Sequence, residues 1–229
     1  MAPRVSNIAL PSRFVDRADA GRQLAARLTD YADHPDVVVL ALPRGGVPVA
    51  YEVATRLRAL LDVFLVRKLG VPEHPELAMG AIAAGGVEVL SDALIAELGI
   101  PASLVRQVAV RERMELDRRD HAFRGDREPP PVRGRTVIVI DDGLATGATM
   151  EAAIVSLRRL EPAKIVVAVP IGASETCERL RRLADDLVCL AMPRPFNAVG
   201  QWYDDFSQTT DDEVRQLLKN VCRGKQGVR

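Results

Sequence analysis

Cysteine is scarce in this sequence and spaced for no structural task. The chain has three, Cys177, Cys189 and Cys222, odd in number and without Cys-x-x-Cys spacing. That argues against a disulfide framework or a zinc site and suits a reducing cytosol. Histidine is equally sparse: His34, His74 and His121 are scattered, with no metal-like spacing and no Ser-His-Asp or Cys-His grouping. Covalent catalysis by an activated side-chain nucleophile is therefore not expected. Charge of one sign is missing too, since 31 basic and 31 acidic residues leave a formal net charge of zero. Nothing in the bulk charge calls for nucleic acid or an anionic membrane. No apolar run approaches the length of a membrane span, and residues 1–13 hold no stretch suited to a signal peptide. A cytoplasmic protein that engages neither nucleic acid nor membrane is the expectation.

What is present is an ordinary globular balance, 48% apolar and 27% charged over 229 residues. That is enough to bury the core of a single α/β domain carrying an insertion. Five apolar runs read as strands, at residues 37–42, 62–66, 136–140, 164–171 and 186–192. Those without polar alternation have the pattern of strands buried on both faces of a parallel sheet. Helical spacing predicts helices at residues 16–31, 48–61, 92–98, 102–123, 151–160, 174–184 and 211–222. Short strand–helix–strand links imply right-handed crossovers. Residues 71–78, punctuated by Pro72 and Pro75, read as a loop. Residues 79–84 and 87–90 read as a hairpin, with Gly85-Gly86 supplying the positive φ angles of its turn. Apolar periodicity weakens over residues 91–135, and eight of the ten residues from Arg111 to Asp120 are charged. This region is expected to be a flexible, helical insertion over the site, its charged helix solvated on most sides. Residues 193–210 are irregular and aromatic-rich, a candidate hood.

The chain is organised around Thr136-Val137-Ile138-Val139-Ile140-Asp141-Asp142, followed by Gly143-Leu144-Ala145-Thr146-Gly147-Ala148-Thr149-Met150. Two adjacent carboxylates cannot be buried unpaired without large cost, so they belong at the strand's carboxyl end, facing solvent or a ligand. The loop of small and hydroxyl residues then runs into a helix. Amides freed at a helix N-terminus, a glycine permitting close approach and two hydroxyls make a cup for a phosphate. Acid pair and cup together suit a ribose 5-phosphate, the carboxylates accepting from the vicinal hydroxyls. The plainer reading is a βα turn in which Asp142 and Thr149 cap and solvate. Neither a Gly-x-Gly-x-x-Gly fingerprint nor a Gly-Lys-Ser/Thr phosphate loop is present.

This stretch resembles the phosphoribosyl pyrophosphate (PRPP) signature of the type I phosphoribosyltransferases: hydrophobic strand, two acidic residues, threonine-rich phosphate loop. The resemblance implies a mainly parallel sheet with helices on both faces, an antiparallel ribbon with a helical insertion, and a C-terminal hood. It implies transfer of 5-phosphoribosyl from PRPP to a nitrogenous base with release of pyrophosphate. A catalytically silent PRPP-binding regulator is the alternative on the same fold. In that scheme Ala145, Thr146, Gly147, Ala148 and Thr149 hold the 5′-phosphate, and Asp141 and Asp142 hold the ribose hydroxyls. The same two carboxylates take part in binding Mg2+, through PRPP or water.

Two further strand ends carry suitable residues. Pro43-Arg44-Gly45-Gly46 follows one run, offering amides and a guanidinium to a diphosphate. The family's pyrophosphate loop lies there, often with a non-proline cis peptide, for which Arg44–Gly45 is the candidate. Arg67 and Lys68 follow another run, and the resemblance places a pyrophosphate-contacting base, Lys68 slightly favoured, just after it. Insertion arginines such as Arg111, Arg113, Arg118 and Arg119 are candidates for one more contact, with no basis for choosing. In the hood, Phe196, Trp202 and Tyr203 suit stacking on a planar base, and Asp204 or Asp205 suits a base N–H or a magnesium water shell. A small satellite core is the sober alternative for them. The resemblance also allows a homodimer.

Overall fold

The computed structural model describes residues 13–72, 74–125 and 127–226. The expectation of no leader falls on residues 1–13 and so lies, Arg13 apart, outside the described residues. The chain runs α1 (Arg17–Ala25), β1 (Val37–Ala41), α2 (Gly46–Leu57), β2 (Leu60–Val63), β3 (Val66–Val71), β4 (His74–Ala83), β5 (Val87–Leu90), α3 (Asp92–Glu97), α4 (Ala102–Arg124), β6 (Thr136–Ile140), α5 (Ala148–Arg158), β7 (Lys164–Ile171), α6 (Ser174–Leu180), β8 (Asp186–Ala191) and α7 (Asp211–Gln226).

The unbroken apolar runs form a five-stranded parallel sheet in the order β2-β1-β6-β7-β8. Because side chains alternate across a strand, each run feeds two cores. Val39, Ala41, Ile138, Ile140, Val166 and Ala168 pack with α1, α2 and α7 on one face. Val38, Leu40, Val137, Val139, Val167 and Val169 pack with α5 and α6 on the other. Such two-sided burial is why these strands carry no polar alternation. The ribbon β3-β4-β5 is a separate antiparallel sheet, turning through Gly85 and Gly86 at φ of 82° and 80°.

Several boundaries differ from the sequence expectation. The second strand covers Leu60–Val63, not 62–66, so Arg67 and Lys68 sit inside β3 of the ribbon rather than at a parallel strand's end. The apolar run from Ala59 to Val66 is interrupted only by Asp62, and that residue is buried: it pairs with Arg124, whose side chain is 3% exposed. Residues 71–78, expected as a loop, are largely strand from His74 onward. The charged helix α4 is solvated on most sides, as expected, with Leu116 the one buried residue between Arg111 and Asp120, but Val105, Val108, Ala109, Leu116 and Phe123 also give it a buried stripe joined to the main core. The first helix stops at Ala25 and is followed by a 3-10 turn at Thr29–Tyr31.

Strand order reverses between β1 and β6. Ligands of open parallel sheets bind outside the carboxyl ends at such a switch point. Here that crevice is flanked by Arg44-Gly45-Gly46 after β1 and Asp141-Asp142 after β6.

Candidate active site

The two loops at the switch point interlock. A Cβ on Gly46 would lie 2.6 Å from the Ile140 carbonyl oxygen and 2.9 Å from Asp141 Cα, and one on Gly45 would overlap the Asp142 carboxylate. Neither glycine has positive φ, so the requirement is space rather than backbone freedom. The non-proline cis peptide is Pro43–Arg44, one residue before the expected Arg44–Gly45. Arg44 reaches Asp211 at the start of α7, 3.4 Å away, and the Gly46 amide, expected to be offered to a ligand, is instead taken by the Leu42 carbonyl at 3.1 Å as α2 begins.

Burial pushes the Asp141 carboxyl well above its usual range, and the adjacent Asp142 charge adds to this. Asp142 is raised by burial as well, opposed by Arg17. Arg17 Nε donates to Asp142 Oδ2 at 2.8 Å, and the Asp142 amide donates to Asp141 Oδ1 at 2.9 Å. On the far side of the strand end, Tyr203 Oη donates to the Asp142 carbonyl at 2.6 Å.

Residues 145–149 turn their carbonyls and amides in different directions. Thr176 Oγ1 donates to the Ala145 carbonyl at 2.6 Å, and Arg179 Nη2 to that of Thr146 at 2.5 Å. The amides of Ala145 to Thr149 donate to no protein acceptor among the described residues. Gly147, at φ 72°, makes the bend that opens α5. Pinned carbonyls and open amides at a helix start form an anion cup. Its support from α6 was not readable in the sequence.

A phosphoribosyl transferase domain model matches residues 73–204. The chain belongs to the phosphoribosyl transferase family. Two Mycobacterium tuberculosis proteins, from strains CDC 1551 / Oshkosh and H37Rv, are provisionally named phosphoribosyl transferases. Each is 50% identical to this chain over 210 residues, 92% of it and 47% of the relative. The chain thus spans about half the length of the curated relatives it matches. The solved structure of TT1426 from Thermus thermophilus is 43% identical over 91% of this chain and 98% of its own, with a TM-score of 0.83.

The matched segment of this phosphoribosyl transferase family chain holds the acid pair, the phosphate loop and most of the hood, while Arg17, Arg44–Gly46 and Lys68 precede it. Arg67 is committed to Glu112 of α4, its Nε 2.6 Å away. Lys68 lies on the opposite face of β3, shared with Val66, which packs on the core that includes Met150 and Ala153 of α5. Of the insertion arginines, Arg119 lines a cavity of about 40 Å³ with Pro43, Arg67 and Thr149, its Nε bonded to Glu115 at 2.7 Å. Arg113 pairs with Glu88 at 2.9 Å, and Arg118 with Glu115 at 2.8 Å.

The hood aromatics are arranged differently from a stacking platform. Tyr203 is 3% exposed and packs with Phe14, Ala20, Ile171 and Ala191, with Phe196 and Trp202 against them. Tyr203 thus belongs to the satellite core and has no open ring face, whereas Phe196 and Trp202 are half-buried against it. Asp204 is surface-exposed and lies 3.8 Å from Arg13. The accessible aromatic near the acid pair is Phe206, with the Arg17 guanidinium 3.9 Å above its ring. Neither Phe206 nor Arg17 stands out in the sequence, since no motif surrounds them.

Proposed function

We propose that this chain transfers the 5-phosphoribosyl group of PRPP to a nitrogenous acceptor and releases pyrophosphate. The observation that carries the reading is the pairing, in one loop at the switch-point crevice, of two largely buried adjacent carboxylates with a run of open amides at a helix start. In this reading Ala145 to Thr149 bind the 5′-phosphate and Asp141 and Asp142 accept from the 2′- and 3′-hydroxyls. The Gly45 amide, with Arg44 and Lys68, is assigned to the pyrophosphate, the Gly46 amide being taken by the Leu42 carbonyl at 3.1 Å; Arg119, beside Pro43 and Thr149, is the insertion residue assigned to reach it, on leaving Glu115. Substitution at the anomeric carbon passes through an oxocarbenium-like state with charge building on the leaving group. The protein then contributes position and charge stabilisation rather than a nucleophile.

The donor chemistry at the acid pair suits a hard cation, which prefers oxygen ligands. Among the described residues no group of three or more histidine, cysteine or carboxylate side chains is arranged to hold a metal. Mg2+ would therefore take most of its ligands from pyrophosphate and water, with Asp141 or Asp142 supplying the protein's share. Bound in that way, it would neutralise the leaving pyrophosphate. The thiols of Cys177 and Cys189 are free, which suits a cytoplasmic setting.

A second reading, PRPP binding without transfer, is favoured by one observation. The Tyr203 ring is buried, and the exposed Phe206 ring carries the Arg17 guanidinium over one face, so the aromatics that touch Arg17 and the acid pair are already engaged by the protein itself. Titration of PRPP with Mg2+, followed by pyrophosphate-release assays with purine and pyrimidine bases, separates the two. Turnover with one base supports transfer, tight binding without turnover supports the sensor, and absent binding sinks both.

A further inference from the structure

We infer that Arg17 is a positioning residue for the acid pair: it fixes the Asp142 carboxylate for the ribose hydroxyls and ties that carboxylate to the hood. The inference rests on the diol assignment above and adds to it a residue that the family match does not reach.

Arg17 is held in place by more than its own helix. The Phe14 amide donates to the Trp202 carbonyl at 2.8 Å, and the amides of Asp204 and Asp205 donate to the Phe14 and Val15 carbonyls at 2.9 Å. The segment before α1 is thus stitched along the hood, and Asp16 caps the helix through the Asp19 amide at 2.7 Å. These bonds set the position of the Arg17 backbone directly below the 203–207 turn.

The guanidinium then makes three different contacts. Its Nε reaches Asp142 Oδ2 at 2.8 Å, its Nη1 reaches the Ser207 carbonyl at 2.7 Å, and its plane lies 3.9 Å from the Phe206 ring centroid. The two side chains of the pair are only 12% and 15% exposed. Surface pairs in the same protein are unlike it: Arg58 and Asp33 are 74% and 56% exposed, and pairs of that kind contribute little. A partly buried pair instead brings a desolvation cost and is best attested as a device for specificity and register.

What it specifies follows from the geometry of the carboxylate. Oδ2 is taken by Arg17 and walled by Gly45, which leaves Oδ1 as the acceptor open to a ligand hydroxyl. Because the guanidinium plane is itself fixed by Ser207 and Phe206, its single Nε bond holds Oδ2 at one point, which a freely moving ammonium would not do. It also offsets one of two adjacent negative charges where an anionic sugar phosphate must approach. Because the same group holds Ser207 and Phe206, the ribose end and the hood are joined through one side chain.

The test uses the full chain, calorimetry and three probes: ribose 5-phosphate, 2-deoxyribose 5-phosphate and inorganic phosphate. Wild type is expected to prefer ribose 5-phosphate over its 2-deoxy analogue by roughly tenfold, the scale of one hydrogen bond to a charged group. In Arg17→Gln the preference falls below about threefold, phosphate affinity stays within about twofold, and Arg17→Lys recovers part of the preference. In an Asp142→Asn background, Arg17→Gln has no further effect on the ratio, the signature of two residues acting as one unit. Phe206→Leu, which removes the ring under the guanidinium and its contact with Tyr203 but keeps the Nε–Asp142 bond, gives an intermediate ratio and serves if Arg17→Gln does not fold. An unchanged preference in Arg17→Gln overturns the inference. So does an equal loss of all three ligands, which marks a purely structural tie between the N-terminal segment and the hood. If wild type itself shows no preference, the diol assignment fails first, and that outcome is distinguishable because no variant is involved.

Discussion

Gly45 lies against the carboxylate of Asp142, and the side chain that glycine lacks is the space the carboxylate occupies. The turn after β1 and the acid pair after β6 are therefore one assembly. Gly45→Ala is expected to push the Asp142 side chain aside and lower PRPP affinity by at least about tenfold, with about 1–3 kcal/mol of destabilisation from overpacking. Gly46→Ala should destabilise more, because its obstacles are the Ile140 carbonyl and Asp141 Cα, backbone atoms that cannot rotate away. Paired thermal melts and PRPP titrations check both. A Gly45→Ala protein that binds PRPP normally would show that the loops do not depend on each other.

The acid pair should be costly to the free protein and necessary to the ligand. Burial disfavours the charged forms of Asp141 and Asp142, and only Arg17 among the described residues opposes it from a side chain. The double variant Asp141→Asn/Asp142→Asn is expected to lose PRPP affinity while staying folded, since the relief of burying two carboxylates offsets the loss of the Arg17 ion pair. Undiminished PRPP binding by this folded variant would rule out the diol assignment.

Asp62 shows both what sequence reading can reach and where it stops. The parallel strands were legible because residues such as Val37–Ala41 and Thr136–Ile140 are buried on both faces and need no alternation. The placing of Asp141-Asp142 at a strand's carboxyl end and of residues 145–149 at a helix start was legible because their order along the chain is their order in space. In the run from Ala59 to Val66 the same logic misplaced β2, since a carboxylate inside an apolar run reads as a boundary. It is instead neutralised by Arg124, brought from the end of α4 to 3.1 Å. Arg17 and the α6 residues under the phosphate loop escaped for the same reason: a contact between distant segments leaves no mark in local pattern. Tyr203 shows the converse, an aromatic whose role is decided by burial rather than by residue type.

Asp62 also gives a pH prediction. Its folded pKa is raised, first by burial, with Arg124 and the Val63 amide opposing. The folded protein then holds this proton to higher pH than the unfolded chain does. The stabilising contribution is full below the unfolded value of about 4 and is lost as pH rises through the raised folded value. Asp62→Asn removes that titration. The stability difference, variant minus wild type, should therefore increase as pH rises from about 4 toward neutrality. Denaturant melts of both proteins at a series of pH values measure it. A difference that is flat or falls with pH would contradict the assignment.

The phosphate cup is expected to depend on residues that never touch the ligand. Thr176 and Arg179 of α6 hold the carbonyls of Ala145 and Thr146, so that the amides on the other side of the same peptide units stay turned outward. Arg179 also pairs with Glu151 in the first turn of α5, joining the two helices that flank the cup. Thr176→Val keeps shape and removes one donor, and a single hydrogen bond is worth about 0.5–1.5 kcal/mol. Its expected effect is a loss of PRPP and phosphate affinity of roughly two- to tenfold. Arg179→Met removes a charge-assisted bond as well, and its effect should be larger. Both ligands should weaken by the same factor, because the defect lies in the anion cup that they share. The ratio of ribose 5-phosphate to 2-deoxyribose 5-phosphate affinity, which reads the acid pair, should stay at its wild-type value. A changed ratio in Thr176→Val would mean that cup and acid pair are not separable, and that α6 supports the whole crevice rather than its phosphate end.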